Sequence, residues 1–152
     1  MKKKLSLIAV LVLFALTLTG CLSKEVKTTD DFIALAESKE MTAVNAIDQF
    51  SYLGYVTEAT VATNKEWQVE FYVLSDEANA VSMFTTNVAK FESKKSGSSS
   101  ETSTDLTNSQ SYSLTSGGAY MYVARVENTL VYLDVDTEYK EEAQAFIEEL
   151  GY

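Results

Sequence analysis

Residues 55–74 read YVTEATVATNKEWQVEFYVL, two runs rich in β-branched and aromatic residues around the polar triplet Asn64-Lys65-Glu66. The second run alternates, with Trp67, Val69, Phe71 and Val73 on one side and Gln68, Glu70, Tyr72 and Leu74 on the other. A period of two marks a strand whose two faces meet different surroundings. A three-residue turn between the runs predicts a β-hairpin of 55–63 with 67–74. That pairing sets Val61 near Val69 and Ala59 near Phe71, so both arms show apolar residues to one side. Strands joined by so short a turn run antiparallel.

The same grammar continues toward the C-terminus. Ser75-Asp76-Glu77 predicts a helix start with Ser75 as cap and two acids at the positive end of the helix dipole. Val81, Phe84, Val88 and Phe91 then recur at i, i+3, i+7 and i+10, an amphipathic helix. Residues 93–104 are rich in Ser, Thr and Lys and poor in apolar residues, which predicts a solvated loop. Three strands follow: 110–115, then 119–126 after Ser116-Gly117-Gly118, then 129–135 after Glu127-Asn128. In the last hairpin Tyr122, Ala124 and Val126 share a face with Val131 and Leu133. Its opposite face carries Met121, Val123, Arg125, Leu130 and Tyr132. Asp136 or Thr137 is expected to cap a final helix with the stripe Tyr139, Ala143, Phe146, Ile147 and Leu150, closed by Gly151.

Toward the N-terminus, Thr28 and Asp31 stand at capping-box spacing ahead of a helix carrying Phe32, Ile33, Leu35 and Ala36. Val44, Ile47 and Phe50 give residues 39–54 a helical spacing and predict a second short helix ending near Gly54. The fold class is therefore α+β, in the order α-ββ-α-βββ-α. The expected architecture is an antiparallel sheet of about five strands with helices packed on one face, a single domain over residues 29–152. An offset of 61 residues aligns Phe71 with Tyr132 and Glu77 with Glu138, an echo that duplication and chance explain equally well.

Ahead of this domain the chain begins MKKKLSLIAVLVLFALTLTGCLSKE. Lys2, Lys3 and Lys4 precede an apolar run of fourteen residues, 5–18, short of the roughly 20 that a membrane-spanning helix needs. A basic start, a short apolar stretch and small residues at its end describe a secretory signal over residues 1–20. Leu18-Thr19-Gly20-Cys21 resembles the lipobox of bacterial lipoproteins. That resemblance implies cleavage between Gly20 and Cys21 and diacylglyceryl attachment at the Cys21 thiol. Residues 21–28 are then the lipidated cysteine and a short tether. It also implies a cell-membrane location on the extracytoplasmic side, or an outer membrane in a double-membrane cell. Two or more acyl chains hold a protein stably on a bilayer where one does so only marginally.

Removing the three leader lysines leaves nine Lys or Arg against 22 Asp or Glu, a net charge of −13 over 132 residues. Such a surface repels phosphate backbones, which argues against nucleic acid as a partner. The chain has no His, and its one Cys is Cys21. Ser-His-Asp and Cys-His catalysis therefore have no residues to run on, nor do His- or Cys-based zinc, copper or haem sites. Asp134, Asp136 and Glu138 alternate as in a calcium loop, and Glu141 and Glu142 follow. However, Tyr139 and Ala145 stand where such a loop wants Gly and Glu, so no metal or cofactor is expected. Glu58 and Glu70, read as sharing an outer sheet face, are the one carboxylate pair that invites comparison with glycosidases; they are expected to be solvated.

The best candidate binding surface is the outer sheet face, with Tyr72, Met121, Arg125, Leu130 and Tyr132. Arg125 is the chain's single arginine, and a guanidinium among tyrosines suits acidic or planar partners. The competing reading packs the N-terminal helices over that face and pairs Arg125 with an acid such as Asp134. The function expected is a non-enzymatic, lipid-anchored binding or accessory module of the cell envelope, with the membrane and an envelope protein as partners. The alternative is a small-molecule or peptide binder using a pocket between helices and sheet. Cys21→Ser is expected to move the protein from the membrane to the soluble fraction; unchanged membrane retention would remove the anchor.

Overall fold

The computed structural model describes residues 23–152; Gly20, Cys21 and the expected signal segment lie outside the described residues. Helix α1 (Thr29–Ser38) begins at the expected capping box. The Asp31 amide donates to the Thr28 hydroxyl at 3.2 Å, and the Thr28 amide donates to the Asp31 carboxylate at 2.8 Å. Residues 39–54 do not form the one short helix expected. They divide into strand β1 (Thr42–Asn45) and the single-turn helix α2 (Ile47–Phe50). The β-branched Thr42 and Val44 that weaken a helix suit an exposed edge strand.

The central hairpin forms as β2 (Val56–Thr63) and β3 (Gln68–Leu74), with a register one residue away from the one expected. Ala62 pairs with Val69, Thr60 with Phe71 and Val61 with Glu70. The reason is local. Trp67 belongs to the turn, where the Asn64 side chain accepts from the Glu66 and Trp67 amides at 3.1 Å each. An Asx-type turn of this kind takes up one more residue than the sequence pattern assigns. The alternation within β3 holds, but Ala59 and Val61 lie on the face opposite Val69 and Phe71.

Helix α3 (Glu77–Ser93) is capped by Asp76, not Ser75, through the Asn79 amide at 2.8 Å. Its inward stripe is turned by about one position from expectation. Ala80, Asn87 and Phe91 are buried and Val81 is exposed. The serine-rich stretch expected as a loop forms strand β4 (Ser99–Asp105), paired with β5 (Ser109–Ser116) along its whole length. β6 (Ala119–Val126) and β7 (Thr129–Asp136) complete a meander in the register expected, Tyr122 opposite Leu133 and Ala124 opposite Val131. Gly117 and Gly118, at φ 61° and 86°, make the two-residue turn that the strand twist favours. After a 3-10 turn (Thr137–Tyr139), helix α4 (Lys140–Leu150) ends at Gly151, whose φ is 92°.

The sheet has seven strands, where about five are expected, in the order β1-β2-β3-β7-β6-β5-β4, and every pairing is antiparallel. The two added strands are its edges. Helices cover both faces of the sheet, which corrects the expectation of one. On the first face, Phe32 of α1 and Phe146 of α4 pack with Phe71, Val69, Val131 and Leu133. Phe32 stacks on Phe71 with ring centroids 5.2 Å apart. On the second face, Ala80 and Phe91 of α3 and Phe50 of α2 pack with Tyr72, Leu114, Met121, Val123 and Leu130. The echo at an offset of 61 is therefore not a symmetric repeat. Phe71 belongs to the first face and Tyr132 packs against the second.

Arg125 shows why α3 stays where it is. Its Nη1 donates to Glu77 Oε1 at 2.8 Å, on the first residue of α3, and its Nε donates to Gln110 Oε1 at 2.6 Å on β5. The guanidinium is buried, whereas the Glu77 side chain is 53% exposed. Removing the acid strands a buried cation; removing the cation leaves an acid that water solvates. Glu77→Ala is thus expected to cost about 1–3 kcal/mol in urea unfolding. Arg125→Met, which keeps the packing stem, should cost less than half as much.

Candidate functional site

The residues expected to form an exposed face share one side of the sheet, but that side lies beneath α3. Met121 is 1% and Leu130 0% exposed, Tyr72 is 2% and Arg125 6%. Arg125 pairs with Glu77 and Gln110, and Asp134 pairs with Lys94 instead. No flat aromatic face is open at this position. The burial that closes the face is incomplete at one place, and two of the five residues, Tyr72 and Tyr132, line what is left.

There the strands β3 and β7, the C-terminal half of α3 and the segment 50–55 enclose an open pocket of about 390 Å³. The sheet contributes Glu70, Tyr72 and Tyr132. α3 contributes Met83, Thr86, Asn87 and Lys90. Phe50, Tyr52, Leu53 and Tyr55 form the third wall. Glu70 and Tyr132 are direct cross-strand partners, which fixes the floor by backbone pairing. Phe50 meets Tyr72 edge-on, centroids 5.0 Å apart, and Phe91 supports Tyr132 at 5.4 Å. Tyr52 stands at the mouth with 78% of its surface exposed. A larger hollow of about 660 Å³ runs along the outer side of α3 past Ser82, Thr85, Ala89 and Ser93, but it is open ground without a buried polar group.

Two side chains donate to Glu70 on the pocket floor. The Tyr72 hydroxyl donates to Glu70 Oε2, and Gln68 Nε2 donates to Oε1 at 3.2 Å. Burial pushes the Glu70 carboxyl above its usual range, while the Tyr72 and Gln68 hydrogen bonds and the nearby Lys90 ammonium pull the other way. Burial, the Glu70 charge and the bond it accepts push the Tyr72 hydroxyl up as well. Tyr132 is pushed up to about 12 by burial and by Asp134 and Glu70. Asn87, buried on α3, donates to the Met83 carbonyl at 2.9 Å. Lys90 makes no ion pair within 4 Å among the described residues.

Glu58 and Glu70 do not face one another. Glu58 accepts from Thr29 at the start of α1, on the far side of the sheet from the pocket. Among the described residues, no three His, Cys, Asp or Glu side chains converge as metal ligands. What the pocket presents is a shaped aromatic wall with one carboxylate and one ammonium. The sequence points to Tyr72 and Tyr132, sets Glu70 aside as a solvated acid, and does not single out Lys90 or the 50–55 wall. The available signal was parity: Glu70 alternates with Tyr72 and Leu74, and Met83, Asn87 and Lys90 recur at i, i+4 and i+7.

The pocket leaves a mark on stability. The folded protein holds the Glu70 proton to higher pH than the unfolded chain does. Folding therefore takes up a proton between the ordinary carboxylate value of 4.5 and the raised one. Stability from this group falls as pH rises through that window. Glu70→Gln keeps an acceptor for Tyr72 and removes the charge. It is expected to unfold at a higher temperature than the parent at pH 7, the gap closing as pH falls toward 4; a gap independent of pH would contradict the assignment.

No protein-family model matches the chain, and no curated protein matches it. Among solved structures, it is similar to a crystal structure of a GTP binding regulator from Thermotoga maritima. The likeness covers 86% of this chain and 90% of that one, with a TM-score of 0.46 and 16% identity.

Proposed function

We propose that this protein is a lipid-anchored binding module of the bacterial cell envelope that holds a small organic ligand in the pocket between α3 and the sheet. The observation that carries the ligand reading is the pocket itself. Its 390 Å³ lies within the range of about 300–1,000 Å³ usual for small-molecule sites. Five of its eleven lining residues are aromatic, and Glu70, Thr86, Asn87 and Lys90 set polar groups among them, so polar contacts can orient a ligand that the rings hold. The burial of Met121, Arg125 and Leu130 disfavours the alternative, in which the sheet face meets a protein partner directly.

The anchor part of the proposal rests on the lipobox-like Leu18-Thr19-Gly20-Cys21. No helix among the described residues is long and apolar enough to cross a membrane; attachment through the Cys21 thiol is what the lipobox-like stretch supports. With its strong negative charge the domain gains nothing from anionic head groups. A non-enzymatic role fits the absence of His from the chain and the separation of Glu58 from Glu70.

The test uses p-cresol as a neutral aromatic probe at millimolar concentration. Saturable amide shifts confined to residues 50–55, 70–72, 83–90 and 132 are expected in NMR spectra of the soluble domain. Met83→Trp, which fills the pocket, should abolish them, and Tyr52→Ala should weaken binding several-fold without lowering the melting temperature. Shifts scattered over the surface, or none, would overturn the pocket as the binding site.

A further inference from the structure

The two charges of the pocket differ in depth and do not meet. Glu70 sits on the floor, half-buried, with Tyr72 and Gln68 donating to its oxygens. Lys90 stands exposed at the rim, on the helix side, close enough for its field to favour the charged form of Glu70. Its ammonium is not within 4 Å of a carboxylate among the described residues. A long, flexible lysine and a glutamate sharing one cavity would ordinarily close on each other. Here the space between them is left for something else.

Whatever fills this space strips water from Glu70 and, in part, from Lys90. A neutral ligand leaves both charges uncompensated, which is costly. A simple amine answers Glu70 but brings like charge toward Lys90. A simple acid answers Lys90 but carries its charge over Glu70. Only a ligand with a cation at one point and an anion at another repays both desolvations, and each wrong partner is rejected by repulsion. The rings of Phe50, Tyr72 and Tyr132 line the same pocket as the two charges, surfaces suited to a flat apolar group and to the outer side of an ammonium.

We propose that the ligand is a compact zwitterion with a flat apolar side chain, an amino acid or short peptide, whose ammonium binds Glu70 on the floor and whose carboxylate binds Lys90 at the rim. This rests on the pocket being the binding site and adds the class of molecule it takes. Losing either ionic hydrogen bond is expected to weaken binding about tenfold or more.

The experiment compares five probes by NMR titration of the soluble domain. L-phenylalanine and glycyl-L-phenylalanine carry both charges, phenethylamine the cation alone, 3-phenylpropionate the anion alone, and p-cresol neither. At least one zwitterion should bind about tenfold tighter than either singly charged probe, and the tighter of the two distinguishes amino acid from peptide. Glu70→Gln should bring it down to the level of 3-phenylpropionate, and Lys90→Met to that of phenethylamine. Both variants should keep the parent's amide spectrum away from positions 70 and 90, which shows that the pocket is still formed. A singly charged probe that binds as well as the zwitterions, or a preference that survives both substitutions, overturns the ligand class. If p-cresol alone localises to the pocket, the class fails and the site stands. If none of the five does, the site falls and the class with it.

Discussion

The sheet is held as one body by the pairing of β3 with β7. Four residue pairs, Glu70 with Tyr132 through Val73 with Thr129, are the only ladder among the described residues that joins β1-β2-β3 to the four-stranded meander β4 to β7. Alternate pairs of this ladder feed the two cores. Phe71 and Val131 sit under α1 and α4, whereas Tyr72 and Leu130 sit under α3. A slip of one residue would exchange the faces. It would bury Glu70 against Phe32 and Phe146 and expose Phe71 to the pocket. The carboxylate on the pocket floor thus depends on the same register that closes the aromatic core behind it.

The two faces are packed to different standards. Under α1 and α4, aromatic rings meet continuously, with Phe32 between Phe71 and Phe146. Under α3, the helix begins tightly, held by Asp76 at its cap and by Arg125 through Glu77. Farther along it meets Glu70 and Tyr132 with Asn87 and Lys90, and no large apolar residue fills the gap. The short α2 and the turn after it wall this gap without covering it. A site arises where the helix is pinned at one end and the packing partner at the other end is polar.

The meander was the most legible part of the chain. β6 and β7 are buried on both faces at the centre of the sheet, their turns are two residues long, and Gly117-Gly118 has the required backbone freedom. The edges were not legible, for the opposite reason. β4 is exposed throughout and β1 nearly so, so neither carries an alternation to read, and both are held by backbone pairing. The hairpin register turned on one tryptophan. Trp67 looks like a strand residue because it is large and apolar, yet it packs on Phe146 from within a turn. Local pattern leaves open whether helices cover the Arg125 face; the helix that does so is α3, and the acid that Arg125 meets is Glu77 and not Asp134.

The chain entering the domain is clasped at its first turn of the journey. The Lys24 amide donates to the Asn108 side chain at 2.9 Å, and the Asn108 amide returns a bond to the Lys24 carbonyl at 2.8 Å. Only three peptide steps separate Lys24 from Cys21, at most about 10 Å fully stretched. Under the proposed acylation the body rides against the lipid surface as a moored float with almost no slack. It would sample a layer scarcely deeper than itself, and anything it captures must arrive there by its own diffusion.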